Sequence, residues 1–180
     1  MRKINTILVL LIMILLLDHL IFGGMYLFGV GNGVIRPLAI SMLVLTIIHA
    51  IISMIVTIRA EKAGFKTNAR YNKENSEFWQ RRVSGVLILV FALMHAYILS
   101  KNEQGIRRIV SLPKIFEFTT PALIISVYFH ILSNIRPLLI SLGVRNIEKK
   151  QRIIKAILTI ITIFGLTAAI SAIISYIGGK

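Results

Sequence analysis

Five long apolar stretches, separated by short polar intervals, dominate the pattern of this chain. The stretches run roughly over residues 4–28, 35–58, 83–100, 115–142 and 153–177. Each consists mostly of Leu, Ile and Val, and about 20 such residues form a helix that can cross about 30 Å of hydrocarbon. A membrane barrel is built instead from strands of about ten residues with alternating hydrophobicity. The pattern therefore predicts an all-α integral membrane protein, in which five transmembrane helices form a single domain over residues 1–180.

The composition excludes a soluble enzyme. Of the 180 residues, 56% are hydrophobic and only 16% are charged, and the mean hydropathy is +0.82. These values lie outside the range of ordinary globular domains. The chain has no cysteine, which excludes disulfides, thiolate nucleophiles, Cys-ligated iron–sulfur clusters and c-type haem attachment.

The first two spans are predicted to form an antiparallel hairpin. The first follows Arg2 and Lys3 and so imitates a signal peptide, but its apolar run is about twice the usual length and has no small-residue cleavage site, so we expect it to be retained. The segment 29–33, Gly-Val-Gly-Asn-Gly, then predicts a tight turn, and Pro37 lies where a helix begins.

The distribution of positive charge predicts the orientation. Arg2 and Lys3, the seven Lys and Arg residues from Arg59 to Arg82 and the five from Arg145 to Lys155 give fourteen on one side, against six on the other. This excess predicts a cytoplasmic N-terminus and an external C-terminus in the cytoplasmic membrane of a prokaryote. The net charge of +14 is then explained by orientation and anionic membrane lipid, not by nucleic acid.

Two polar intervals are candidates for binding partners. The interval from Arg59 to Arg82 is predicted to be a basic cytoplasmic loop, which either receives a soluble partner or is only a solvated connector. The interval from Lys101 to Lys114 carries four basic residues on the external side, against the usual charge rule, and is predicted to bind something anionic.

Four histidines, His19, His49, His95 and His130, fall singly in the first four spans. An ionisable side chain at membrane depth is costly and faces a bundle interior or a cavity. Any one of them alone is explained equally well by a hydrogen bond between helices. One histidine on each of four helices, however, is the arrangement that two bis-histidine haem b groups require, because each iron takes two imidazoles from facing helices.

The depth of each histidine predicts how they pair. At 1.5 Å per residue from the cytoplasmic ends, His19 lies about 22 Å deep and His95 about 18 Å. His49 lies about 14 Å deep, and His130 about 9 Å if Arg136 marks the end of its span; an end as late as Leu142 would change that value. We therefore expect an outer haem on His19 and His95 and an inner haem on His49 and His130.

Polar and small residues near the histidines are candidates for supporting roles. Two stripes at helical spacing, Thr46–His49–Ser53–Thr57 and Ser126–His130–Asn134, could accept the Nδ1 proton and leave Nε2 for iron. Gly23 and Gly85 could make room for a flat macrocycle, or serve only close helix packing.

Basic residues at the helix ends are candidates for neutralising haem propionates. Arg82 and Arg136 are the candidates for the inner haem, and Arg36 and Lys114 for the outer haem. The alternative is that these residues serve topology alone.

The order of these features resembles a known family. The segment 78–85, Phe-Trp-Gln-Arg-Arg-Val-Ser-Gly, leads to His95, and His130 is followed by Ile135-Arg136 and Leu142-Gly143. Together with four histidines in the first four of five spans, these residues resemble the dihaem cytochrome b membrane anchors of succinate:quinone oxidoreductases and fumarate reductases. The resemblance covers the layout of nearly the whole chain but only these two segments in sequence.

The resemblance implies the same histidine pairs, two haem b groups and a cytoplasmic flavoprotein subunit and iron–sulfur subunit as partners. It further implies electron transfer to or from a membrane quinone, expected to be menaquinone, with no dicarboxylate chemistry in this chain. Some members carry a glutamate two residues before the fourth histidine and acidic residues after the first span. Here those places hold Tyr128 and the glycine-rich turn, so no proton route through carboxylates is carried over.

Two places are predicted for quinone. The inner one lies near Trp79, Arg82 and Ser84. The favoured outer one lies near Asp18, Tyr26 and the glycine-rich turn, because a second haem is needed only if electrons cross the bilayer. Asp18 is then a proton acceptor or a haem-site partner, or else simply a buried, hydrogen-bonded acid.

Two rival functions remain open at this point. One is a cytochrome b anchor of another oxidoreductase, such as a hydrogenase or a formate dehydrogenase. The other is a non-haem, proton-coupled transporter that uses Asp18 and the histidines as a relay.

Overall fold

The computed structural model describes residues 2–27, 35–67, 72–100 and 114–178. They form five helices: α1 (Arg2–Leu27), α2 (Ile35–Thr67), α3 (Asn72–Ser100), α4 (Lys114–Ser141) and α5 (Ile147–Gly178). The described part of the chain contains no strand. Each helix is long and apolar enough to cross a membrane, which confirms the predicted all-α fold of a five-helix membrane protein.

The structure corrects the predicted loop between Arg59 and Arg82. The apolar parts of α2 and α3 span Arg36–Arg59 and Phe78–Ile98, but α2 continues to Thr67 and α3 already begins at Asn72. Hydropathy marks only the part of a helix that lies in lipid. The flanking sequence has no proline and is rich in Arg, Lys, Glu and Ala, which are good helix formers. The predicted turn at 29–33 and the external interval at 101–113 lie outside the described residues.

The C-terminal end of α4 is set by Gly143. The Gly143 amide donates to the Ile140 carbonyl and the Val144 amide to the Leu139 carbonyl, each at 3.1 Å, which is the Schellman arrangement of a helix end. It requires a positive φ at Gly143, which is 67° and costs glycine nothing. Because α4 therefore extends to Ser141, Arg136 does not mark its inner end.

The later end of α4 changes the depth of His130. This residue lies eleven positions before Ser141, or about 16 Å along the helix. His49 lies ten positions before Arg59, or about 15 Å. The two histidines are therefore more nearly level than the sequence estimate of 9 and 14 Å suggested.

The helices pack as two layers. α1 packs along α2 to form the hairpin layer, while α3 packs on α4 and α4 on α5 to form the three-helix layer. Across the boundary, the helices of the hairpin layer approach those of the three-helix layer at only a few positions. One of them joins the Thr6 hydroxyl, as donor, to the Ser141 hydroxyl at 3.3 Å.

Most of the buried side chains lie in the three-helix layer. Ile98, Ile135, Leu139 and Ala169 are buried there, whereas Leu8 is the buried apolar residue of the hairpin layer among the described residues. Many other large apolar side chains on all five helices are exposed, as expected where lipid is the solvent. The four histidines lie at the boundary of the two layers.

Candidate functional site

The four histidines form two pairs, each with one member from either layer. His19 of α1 faces His95 of α3, with ring centroids 6.4 Å apart and ring planes 79° apart. His49 of α2 faces His130 of α4, at 6.5 Å and 83°. These outer and inner pairs are the ones that helix depth predicts.

The separation within each pair has a chemical meaning. A metal–imidazole bond is about 2.0–2.1 Å long and a ring nitrogen lies roughly 1.1 Å from its ring centroid, so imidazoles on opposite sides of one metal ion have centroids about 6.3 Å apart. Both pairs match this value. At this centroid separation, the nearest atoms of the two rings are at least about 4 Å apart, which is too far for a direct hydrogen bond.

The two pairs lie at different levels of the bundle. On α4, His130 of the inner pair is ten residues from Thr120, whose hydroxyl lies 3.4 Å from His95 Nδ1. On α3, His95 is eleven residues from Ser84, whose hydroxyl lies 3.0 Å from His130 Nδ1. At 1.5 Å per residue, both spacings separate the levels by about 15–16 Å.

The inner pair is held by hydrogen bonds from neighbouring helices. His49 Nδ1 lies 2.9 Å from Asn5 Oδ1 of α1, and His130 Nδ1 lies 3.0 Å from Ser84 Oγ of α3. Ser84 itself is buried, and its hydroxyl donates to the Gln80 carbonyl at 2.7 Å. Ser84 is predicted to lie near a quinone. The structure places its hydroxyl within hydrogen-bond distance of His130.

The prediction that Nδ1 partners come from the histidines' own helices is wrong for the polar residues whose bonds are known. The hydroxyls of Thr46, Thr57 and Ser126 donate to the carbonyls four residues earlier, at 2.8, 2.6 and 2.7 Å. The Asn134 amide donates to the His130 carbonyl at 2.7 Å. Within a helix, the nearest acceptor for a short polar side chain is the preceding turn of backbone.

The His130 imidazole lies against Gly85 of α3. A Cβ atom at Gly85 would lie 3.4 Å from His130 Cε1 and 3.6 Å from its Nδ1, which is van der Waals contact. The space beside this glycine is thus occupied by the imidazole itself. A Cβ atom at Gly23, by contrast, would meet nothing within 4 Å.

The outer pair has contacts of its own. The 3.4 Å contact between Thr120 Oγ1 and His95 Nδ1 is at the long end of the range for such bonds. His19 Nδ1 is buried and has no hydrogen-bond partner among the described residues. Asp18 is half-buried next to it in the chain.

Arg82 lies on α3 two residues before Ser84, which contacts His130 of the inner pair. Its guanidinium carbon lies 5.0 Å from the centre of the Phe78 ring. Its Nε atom is buried without a hydrogen-bond partner among the described residues. A buried donor without a partner among the described residues, two positions before the Ser84 that contacts His130, fits a site for an anionic group such as a haem propionate.

The other basic candidates are placed differently. Arg136 is exposed, and six residues of helix put it about 120° around α4 from His130. Arg36 is also exposed. The side chain of Lys114 lies outside the described residues.

The predicted quinone places are described only in part. At the inner place, Trp79 is 52% exposed and packs edge-on against Phe78, with ring centroids 5.8 Å apart. At the outer place, the Tyr26 side chain and the glycine-rich turn lie outside the described residues. Tyr128, which stands where relatives of the resembled family can carry a glutamate, bonds to the Thr159 hydroxyl of α5 at 3.1 Å.

Asn5 and Thr120 are site residues that sequence reasoning missed. The available signal was a polar residue near the end of an apolar span, but such residues usually bond to their own backbone or to water. Only the packing of helices brings them to a histidine. Comparison of the chain with models of known protein families, with curated proteins and with solved structures finds no match, so its function has to be inferred from the two histidine pairs and their surroundings.

Proposed function

We propose that this chain is the dihaem cytochrome b membrane anchor of a succinate dehydrogenase or fumarate reductase complex. The observation that carries the proposal is the pair of bis-imidazole separations, 6.4 and 6.5 Å, at two levels of one membrane bundle. The cytoplasmic partners and the quinone come from the resemblance of the two sequence segments and of the histidine order.

The residues present fit the cofactor. His19 and His95 would hold the outer haem and His49 and His130 the inner one, so each haem would take one ligand from the hairpin layer and one from the three-helix layer. Arg82 neutralises a propionate of the inner haem. When bound, each haem iron carries one electron by cycling between its ferric and ferrous states.

The two levels provide a path across the membrane. They are separated by about 15–16 Å along the helices, and the inner level lies nearer the predicted cytoplasmic surface. The chain thus positions one electron carrier towards the flavoprotein and iron–sulfur subunits and another towards the external surface. Quinone, expected to be menaquinone, exchanges electrons at one of these ends.

A histidine proton relay is disfavoured by the same distances. Imidazoles that pass protons directly need a hydrogen bond of about 2.7–3.2 Å. The rings of either pair approach no closer than about 4 Å, as worked out above from the covalent ring geometry. A metal ion between two ring nitrogens accounts for this spacing, and direct proton transfer between the two rings does not.

The test is the haem content of the purified protein. Protein expressed with added haem precursor and extracted in mild detergent is expected to give two b-type haems per chain in a pyridine haemochrome assay. Absence of haem under these conditions would overturn the proposal, and one haem per chain would reduce it to a single site. Copurification of a flavoprotein with an iron–sulfur subunit identifies the complex, whereas copurification of a hydrogenase or formate dehydrogenase would assign the anchor elsewhere.

A further inference from the structure

The proton on His130 is assigned by Ser84. A serine hydroxyl has one proton to donate, and the Ser84 hydroxyl donates it to the Gln80 carbonyl at 2.7 Å. With that proton on the closer acceptor, the Gln80 carbonyl, the 3.0 Å contact with His130 Nδ1 has the imidazole N–H as its donor. His130 thus carries its proton on Nδ1.

The proton on His49 is assigned by Asn5 in the same way. The amide oxygen of asparagine accepts hydrogen bonds and donates none. The 2.9 Å bond between Asn5 Oδ1 and His49 Nδ1 therefore also has the imidazole as donor. Both members of the inner pair carry their proton on Nδ1, which leaves both Nε2 lone pairs available.

We propose that Asn5 and Ser84 are positioning residues that preset the inner pair to bind iron before any haem arrives. A metal needs an unprotonated ring nitrogen from each imidazole, and a hydrogen bond to the other nitrogen fixes that tautomer and the ring orientation. The proposal rests on the proposed function in one respect only, that the metal is haem iron. The two tautomers are a property of the haem-free protein.

At the outer pair, the hydroxyl next to His95 belongs to a threonine. A threonine hydroxyl can donate to or accept from an imidazole nitrogen, so Thr120 does not by itself decide the tautomer of His95. His19 Nδ1 is buried without a partner among the described residues.

The tautomers can be measured on the haem-free protein by nitrogen NMR. In protein labelled with ¹⁵N-histidine, with signals assigned by single His→Gln variants, His49 and His130 are expected to show a protonated Nδ1 and an unprotonated Nε2. Ser84→Ala should change the pattern of His130 alone, and Ser84→Thr, which retains a hydroxyl, should restore it. Ser133→Ala is the matched control, because that hydroxyl donates to carbonyls of its own helix. A protonated Nε2 on His49 or His130 in the unmodified protein would overturn the proposal.

The haem-loaded protein gives a second readout. Loss of a partner that orients a metal-bound imidazole costs about 10- to 100-fold in metal affinity, so Asn5→Leu and Ser84→Ala should weaken inner-haem binding by that factor and leave the outer haem in place. The inner midpoint potential should rise, because a less basic imidazole stabilises ferric iron less. Thr46→Val is the control on α2, since its hydroxyl donates to the Met42 carbonyl of its own helix.

The two failures are distinguishable. If the protein binds no haem, the proposed function fails, and the NMR result still decides the tautomers. If haem binds but inner affinity and potential are unchanged in both Asn5→Leu and Ser84→Ala, the positioning role is wrong while the proposed function stands.

Discussion

His49 and His130 lie with their ring centroids 6.5 Å apart and their ring planes at 83°, so the two imidazoles of the inner pair are nearly perpendicular. Their rings come from different layers of the bundle, and neither helix could set this angle alone. The outer pair has almost the same relationship, at 79°. The angle between the two ring planes affects the electronic structure of any iron bound between them.

Perpendicular ligand planes predict a distinctive paramagnetic signal. Parallel imidazoles split the iron d-orbitals of π symmetry, whereas perpendicular imidazoles leave them nearly degenerate. The oxidised protein is therefore expected to give highly anisotropic low-spin ferric signals in low-temperature EPR, one from each haem. Ordinary rhombic low-spin spectra at both sites would show that the rings turn on binding.

The histidines are expected to act in pairs. His19→Ala and His95→Ala should each remove the outer haem, and His49→Ala and His130→Ala should each remove the inner one, because an iron that loses one axial imidazole is held from one layer only. The measurement is haem content combined with the redox-difference spectrum of each variant. If His19→Ala and His49→Ala removed the same spectral species, the pairing would be wrong.

Arg82 is expected to raise the potential of the inner haem. A positive charge near the iron disfavours the more positive ferric state, so Arg82→Gln should lower the inner midpoint potential, by an energy on the order of 1 kcal/mol. Arg136→Gln is the matched control, because that side chain is exposed on a different face of α4 from His130. Redox titration of both variants checks the prediction, and equal shifts would favour a role in topology for both arginines.

The contact between the two layers can be captured covalently. The hydroxyl oxygens of Thr6 and Ser141 lie 3.3 Å apart, which is compatible with the side-chain approach that a disulfide needs, and the chain has no cysteine of its own. The double variant Thr6→Cys, Ser141→Cys is expected to cross-link on mild oxidation, as detected by mass spectrometry of the joined peptides. Thr6→Cys with Ser133→Cys should not, since Ser133 lies about 12 Å further along α4.

The quinone place remains a prediction and can be decided by comparing two variants. Asp18 lies beside His19 at the outer level, whereas Arg82 lies at the inner one. With haem content intact, Asp18→Asn is expected to reduce quinone-linked electron transfer more than Arg82→Gln does, because the outer site needs a nearby group to handle protons. Selective loss in Arg82→Gln would move the site to the cytoplasmic side.

Several features of the bundle could be predicted from the sequence because they depend only on position along a helix axis. The apolar runs identify five spans, and a fixed rise of 1.5 Å per residue sorts the histidines into two levels. That calculation paired His19 with His95 and His49 with His130 even though it ended α4 too early. The error was about 7 Å at His130, which was too small to change the pairing.

The tertiary structure decided what depends on the rotation and contact of helices. Arg82 and Arg136 have the same charge and the same predicted role at the inner haem. In the structure, Arg82 Nε is buried without a partner among the described residues, whereas Arg136 is exposed. The same holds for the partners of the imidazoles: Asn5 and Ser84 reach histidines on other helices, while Thr46 and Ser126 bond to their own backbone. Hydrophobic periodicity is weak in helices that face lipid on one side and the bundle on the other, because both environments favour apolar residues. The facing side of each helix is therefore set by packing between helices, which local sequence does not encode.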